Sequence, residues 1–164
     1  MLKPSSLFGN GAVLCREKEI RIFGEADSGS EVRVSLKNCH GDILAENVSI
    51  ARDGRFEATL MPQKAGTGCS LIFTAGPETV TAGDILIGDV YLAGGQSNME
   101  FEIQNERNGK QLLQNLMSDC GVRFYYTPKQ RMKDADFDAN ERNTSWQLAS
   151  PENSKSWSAV GLYF

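Results

Sequence analysis

Between residues 20 and about 80 the chain is a succession of short segments in which apolar and polar residues alternate, and helical spacing is missing from this half. Alternation with a period of two sends successive side chains to opposite faces, so each segment reads as a strand with one covered face. Val32, Val34 and Leu36 would face a core while Glu31, Arg33, Ser35 and Lys37 face water. Phe56, Ala58 and Leu60 repeat the pattern after Arg52-Asp53-Gly54, whose Asp-Gly pair suits a tight hairpin because glycine tolerates positive φ. A further segment, residues 71–74, follows the loop Lys64-Ala65-Gly66-Thr67-Gly68. Short strands divided by turn chemistry predict an antiparallel β-sandwich over residues 1–84.

The character changes near Gly83. Residues 85–92 form an apolar run with few outward polar positions, as expected of a central strand covered on both faces. Residues 110–117 place leucines and a methionine at helical spacing, which predicts an amphipathic helix, and Cys120-Gly121 would end it. Residues 122–126 read as another strand, giving a strand, helix, strand unit of the kind that builds parallel sheets. From there to Ser154 the chain is polar, with Trp146 and Trp157 isolated, and residues 157–164 read as the first turns of a helix. The expected fold is therefore mixed: a β-sandwich, then residues 85–164 as the opening part of an α/β domain. Such a sheet normally needs about four or more strands, and two are visible. Residues 85–164 are accordingly expected to lean on the sandwich, on a second copy in a homo-oligomer, or on domain exchange.

Composition narrows the function. A length of 164 residues and an apolar share of 40% fit one domain, or a small domain joined to part of another. The 17 basic and 21 acidic residues give a net charge of -4, with no Lys/Arg cluster, so nucleic acid is not an expected partner. No stretch approaches the roughly 20 apolar residues of a spanning helix, and no membrane role is expected. The opening Met-Leu-Lys-Pro-Ser-Ser lacks the apolar run of a signal peptide, so the chain is expected to be cytoplasmic, or exported with its signal removed. Cys15, Cys39, Cys69 and Cys120 include no C-x-x-C pair and are expected as buried or half-buried thiols, with a disulfide only if the protein is exported. Asp134, Asp136 and Asp138 lack the glycine and bidentate Glu of a calcium loop, and Gly94-Gly95 lacks the ending of a phosphate-binding loop. No metal and no cofactor is expected.

The chemistry concentrates in Gly95-Gln96-Ser97-Asn98-Met99, directly after the apolar run. Acyl transfer needs an oxygen nucleophile where a carbonyl can approach, with donors for the oxyanion that forms. A loop at the end of a strand supplies both: Ser97 as nucleophile, backbone N–H groups as donors, Gly94 and Gly95 for close approach, and the amides of Gln96 and Asn98 to donate or to pin the loop. The commoner job of a serine in this position is to cap a helix. The only histidine, His40, sits in Asn38-Cys39-His40-Gly41-Asp42 and reads as a surface turn residue, not a base.

Residues 87–100, Ile-Gly-Asp-Val-Tyr-Leu-Ala-Gly-Gly-Gln-Ser-Asn-Met-Glu, strongly resemble the first catalytic block of the sialate O-acetylesterase family, a branch of the SGNH hydrolases. The resemblance extends in pieces over residues 7–14, 64–66 and 157–164, while Cys15 and Ala93-Gly94 depart from many relatives. It implies that Ser97 is the nucleophile and that its own N–H contributes to the oxyanion hole. It implies a β-rich domain beside a flavodoxin-like hydrolase domain, and an acetylated sugar as substrate: sialic acid or another acetylated glycan. The family's further oxyanion donors and its Asp-x-x-His block would lie past residue 164, so this chain alone is expected to hydrolyse esters very poorly. The alternative is a non-catalytic β-sandwich module that binds glycan or props up a partner domain. A row of exposed aromatics would favour it, but the β half offers only Phe8, Phe23, Phe56 and Phe73, expected to fill the core.

Overall fold

The computed structural model describes residues 1–116, 121–127 and 143–164. The helix end expected at Cys120 and the aspartates 134, 136 and 138 lie outside the described residues. Eight strands come first: β1 (Leu2–Pro4), β2 (Val13–Cys15), β3 (Ile20–Ala26), β4 (Glu31–Lys37), β5 (Ile43–Ile50), β6 (Arg55–Leu60), β7 (Gly66–Ala75) and β8 (Glu78–Gly88). Three form one sheet in the order β1-β3-β6, and five form another in the order β2-β8-β7-β4-β5. All neighbouring pairs whose register is resolved are antiparallel except β2 with β8, which run parallel. The structure is mostly β-sheet with short helices.

The alternation explains the packing. Val32, Val34 and Leu36 on β4 are buried with Leu71 and Phe73 on β7 and Ile85 on β8, and the opposing sheet adds Ile22, Phe56, Ala58 and Leu60 to the same core. Phe56 and Phe73 meet edge to face across it, with ring centres 6.4 Å apart. Between β5 and β6, Asp53 (φ 50°) and Gly54 (φ 77°) both take the left-handed conformation, and the flanking Arg52 and Arg55 exchange hydrogen bonds of 2.8 and 2.9 Å. Phe8 is also buried, whereas Phe23 is exposed and rests edge-on against it. The sandwich therefore has no row of exposed aromatics among the described residues.

The strand expected over residues 85–92 is corrected. β8 ends at Gly88; Ile85 and Ile87 point into the sandwich core, Leu86 is half-buried, and Val90, Tyr91 and Leu92 are exposed outside any strand. A short run that is apolar at nearly every position conceals its own period, so the inward positions are not distinguishable from the rest. β8 pairs with β7 and β2, while β9 (Arg123–Tyr125) pairs with β10 (Trp146–Leu148). Helix α1 covers Gly109–Asn115, with Leu113 buried and Leu112 and Leu116 half-buried, and Leu116 already has extended backbone. It thus stops short of the expected end, where Gly121 has a positive φ of 74°.

The chain divides into two compact units, the first built on Met1–Val90 and the second on Tyr91–Tyr125 with Gln147–Phe164. In the second unit Ile103, Leu113, Ala149, Trp157 and Ala159 are buried, and the Trp157 indole stacks on Phe124 at 4.2 Å between ring centres. The expected last helix is present as α2, Ala159–Tyr163, capped by Ser158, whose hydroxyl accepts from the Gly161 N–H at 3.1 Å. Gly109 admits no other residue: a Cβ there would lie 1.8 Å from the Ile103 carbonyl oxygen. Among the described residues no helix is long and apolar enough to cross a membrane.

Candidate active site

Where β8 leaves the sandwich, Asp89 is gripped by the Arg16 guanidinium through bonds of 2.8 and 3.2 Å, and the Arg16 N–H donates to the Gly88 carbonyl. The hydrogen bonds from Arg16 hold the Asp89 carboxyl below the usual carboxylate range. Neither residue was picked out from the sequence, because 73 positions separate them and no local pattern joins an arginine to so distant a partner.

In the second unit the chain from Tyr91 to Gly95 has no regular structure, and then winds into consecutive turns. Met99 N–H donates to the Gln96 carbonyl (2.9 Å), Glu100 to Ser97 (3.1 Å) and Phe101 to Asn98 (3.3 Å). Gly95 makes this winding possible, since a Cβ on it would lie 2.6 Å from Met99 Cγ, whereas a Cβ on Gly94 would meet open space. The two glycines thus differ in packing: Gly95 lies against Met99, and Gly94 faces open space.

Gln96, Ser97 and Asn98 are all exposed. Their side chains have no hydrogen-bond partner among the described residues, so the Ser97 hydroxyl caps no helix. The Ser97 backbone N–H likewise donates to no backbone acceptor there. An accessible hydroxyl and an unused N–H on one residue can attack a carbonyl and bind the oxyanion that results. The turns are tied to the rest of the unit just beyond the serine. Ala159 N–H donates to the Phe101 carbonyl at 2.8 Å, Ile103 N–H to Trp157 at 3.0 Å, and Gln104 N–H to Lys155 at 3.1 Å.

His40 lies in the first unit, exposed, in a turn where Asn38 Oδ1 accepts from the His40 and Asp42 N–H groups at 2.9 Å each. The second unit has no histidine, since the sequence holds one. Among the described residues no group of His, Cys, Asp or Glu is arranged to hold a metal ion. Cys15 is half-buried and Cys69 buried, as expected, but Cys39 is exposed; all three are free thiols, and Cys120 lies outside the described residues. Burial raises the Cys69 thiol above its ordinary value, which suits a packing role over a reactive one.

Comparison of the sequence with protein-family models and with curated proteins gives no match. Among solved structures, the chain is similar to a carbohydrate acetylesterase from Xanthomonas citri. The TM-score is 0.81 and the identity 27%, over 98% of this chain and 35% of that one. The fold thus matches that of a carbohydrate esterase along nearly the whole chain, which spans about a third of that enzyme's length.

Proposed function

We propose that this protein is a carbohydrate esterase that removes O-acetyl groups from sialic acid or another acetylated glycan, with Ser97 as the nucleophile. The observation that carries the reading is the shared fold with a carbohydrate acetylesterase over 98% of the chain. The G-Q-S-N-M loop supports the assignment of the serine, because it presents Ser97 in water with its hydroxyl and N–H unengaged among the described residues. Attack by the Ser97 oxygen on the acetyl carbonyl gives a tetrahedral oxyanion, held by the Ser97 N–H. Collapse releases the sugar alcohol and leaves an acetyl-enzyme, which water hydrolyses to acetate. The reading includes an SGNH-type, flavodoxin-like arrangement for residues 85–164 beside the β-rich residues 1–84. It also includes a base that is not His40, so the 164 residues alone turn over esters very poorly.

The test is turnover of an acetyl-ester reporter by the full-length gene product, beside the same protein carrying Ser97→Ala. Activity that vanishes with the substitution is the expected result. An inactive protein, or one indifferent to Ser97→Ala, removes the reading.

A further inference from the structure

One face of α1 and the end of α2 border a shallow, solvent-open groove of about 420 Å³ within the second unit, lined by Asn108, Gln111, Leu112, Asn115 and Tyr163. Positions 108, 111, 112 and 115 are spaced to share one side of a helix. Leu112 is half-buried and supplies an apolar floor, while Asn108, Gln111 and Asn115 are exposed. Among the described residues none of these three side-chain amides has a hydrogen-bond partner. Tyr163 is 57% exposed, and its hydroxyl donates to Glu106 Oε2 at 3.2 Å, so the side chain is anchored at its far end and largely open to solvent. Partial burial and this bond push the phenol pKa above its ordinary value.

Among the described residues the lining is uncharged, and the Glu106 carboxylate, which accepts from the Tyr163 hydroxyl and the Asn108 N–H, stands at its edge. Arg107 and Lys110 are exposed nearby in sequence and form no part of it. Amides without a protein partner can each accept and donate, which matches the hydroxyls around a sugar ring, and a largely exposed aromatic side chain beside Leu112 matches the ring's C–H faces. The volume is in the range of small-ligand sites, roughly 300–1,000 Å³. We propose that this groove is a subsite for one uncharged pyranose residue of a glycan, with Tyr163 against a C–H face and Asn108, Gln111 and Asn115 exchanging hydrogen bonds with the hydroxyls. The inference deepens the esterase reading, on which the choice of a sugar rests. It selects a neutral sugar over sialic acid, whose carboxylate would meet the Glu106 carboxylate at the edge and no cation among the described lining residues.

The test is an NMR titration of the 164-residue chain, wild type and Ser97→Ala, following the side-chain amides. Xylotetraose, cellotetraose and chitotetraose serve as neutral probes, N-acetylneuraminic acid as the acidic one and adenosine as a stacking control. Saturable shifts at Asn108, Gln111 and Asn115 are expected with at least one neutral tetrasaccharide, equally in Ser97→Ala. Gln111→Ala, on an exposed helix position, should weaken binding about two- to ten-fold. Tyr163→Ala should abolish it, and Tyr163→Phe should retain it. No shift with any tetrasaccharide, shifts with the acid or adenosine alone, or shifts untouched by Tyr163→Ala overturns the subsite. Turnover that depends on Ser97 without such binding would leave the esterase reading standing and remove the subsite. Binding in a protein whose turnover survives Ser97→Ala would do the reverse.

Discussion

The β-sandwich buries whole aliphatic and aromatic side chains from two sheets, whereas the unit carrying Ser97 has a core of five buried apolar residues among those described and leaves its serine loop in water. A residue in the first is held by many neighbours at once. A residue in the turns around Ser97 is held by three consecutive backbone hydrogen bonds and one glycine. Stability and chemistry therefore occupy different parts of the chain, and substitutions should separate them.

The largest separation is expected at Ser97. In the full-length gene product Ser97→Ala should lower acetyl-ester turnover by about four orders of magnitude or more. The denaturation midpoint should move little, since an exposed side chain without partners contributes within about 0.5 kcal/mol. Parallel loss of stability and activity would break the comparison. Phe73→Ala is the converse. It empties a fully buried ring site that faces Phe56 and should cost about 3–5 kcal/mol in urea unfolding. A loss below about 1 kcal/mol would mean that the sandwich core can collapse around the gap.

Smaller effects are expected at the two glycines before the serine, and they sharpen the contrast inside one loop. Gly95→Ala forces a Cβ to within 2.6 Å of Met99 Cγ, close to the chain and not at a free tip, so the turns must shift. A displacement of about 1 Å at a reacting group can lower turnover about 100-fold. Gly94→Ala meets open space and should leave turnover within about two-fold. Steady-state kinetics on the pair decides it, and equal losses would remove the geometric account.

These residues also show how far sequence reasoning reaches. Val32, Val34 and Leu36, and Phe56, Ala58 and Leu60, were legible because a period of two needs only nearest neighbours, and all six are buried. The Asp53-Gly54 turn was legible for the same local reason. The end of β8 was not, because Ile85 to Leu92 is apolar at nearly every position and only the partners, β2 and β7, determine which residues lie inside. The serine loop stood out by its place after an apolar run and by the resemblance of residues 87–100 to a known catalytic block. The requirement for Gly95 over Gly94, the Arg16 grip on Asp89 and the groove beside Tyr163 depend on contacts between separated positions, and no local pattern encodes them.

The smallest expected effect is electrostatic and belongs to the sandwich. Glu46 accepts from the Ser35 hydroxyl at 2.6 Å and from Arg33 at 2.5 Å, and Asp89 accepts from Arg16. Both carboxyls are held below their ordinary values, Glu46 first by Ser35 and then by Arg33, Asp89 by Arg16. A depressed folded pKa means that the unfolded chain takes up the proton first as acid is added. The stabilisation is thus complete above the unfolded values, about 4, and is lost as the pH falls through the lower folded ones. Arg16→Gln and Arg33→Gln should each lower stability slightly at neutral pH and flatten the acid limb of a urea-midpoint profile below about pH 4. Because both pairs are open to solvent, salt should erase most of the difference. Neither variant should alter turnover per folded molecule if the stabilising interactions and the reacting groups are as separate as their placement in two units implies. A change in the pH profile of turnover in Arg16→Gln would instead show that the grip on Asp89 reaches the serine loop and that the two units act as one.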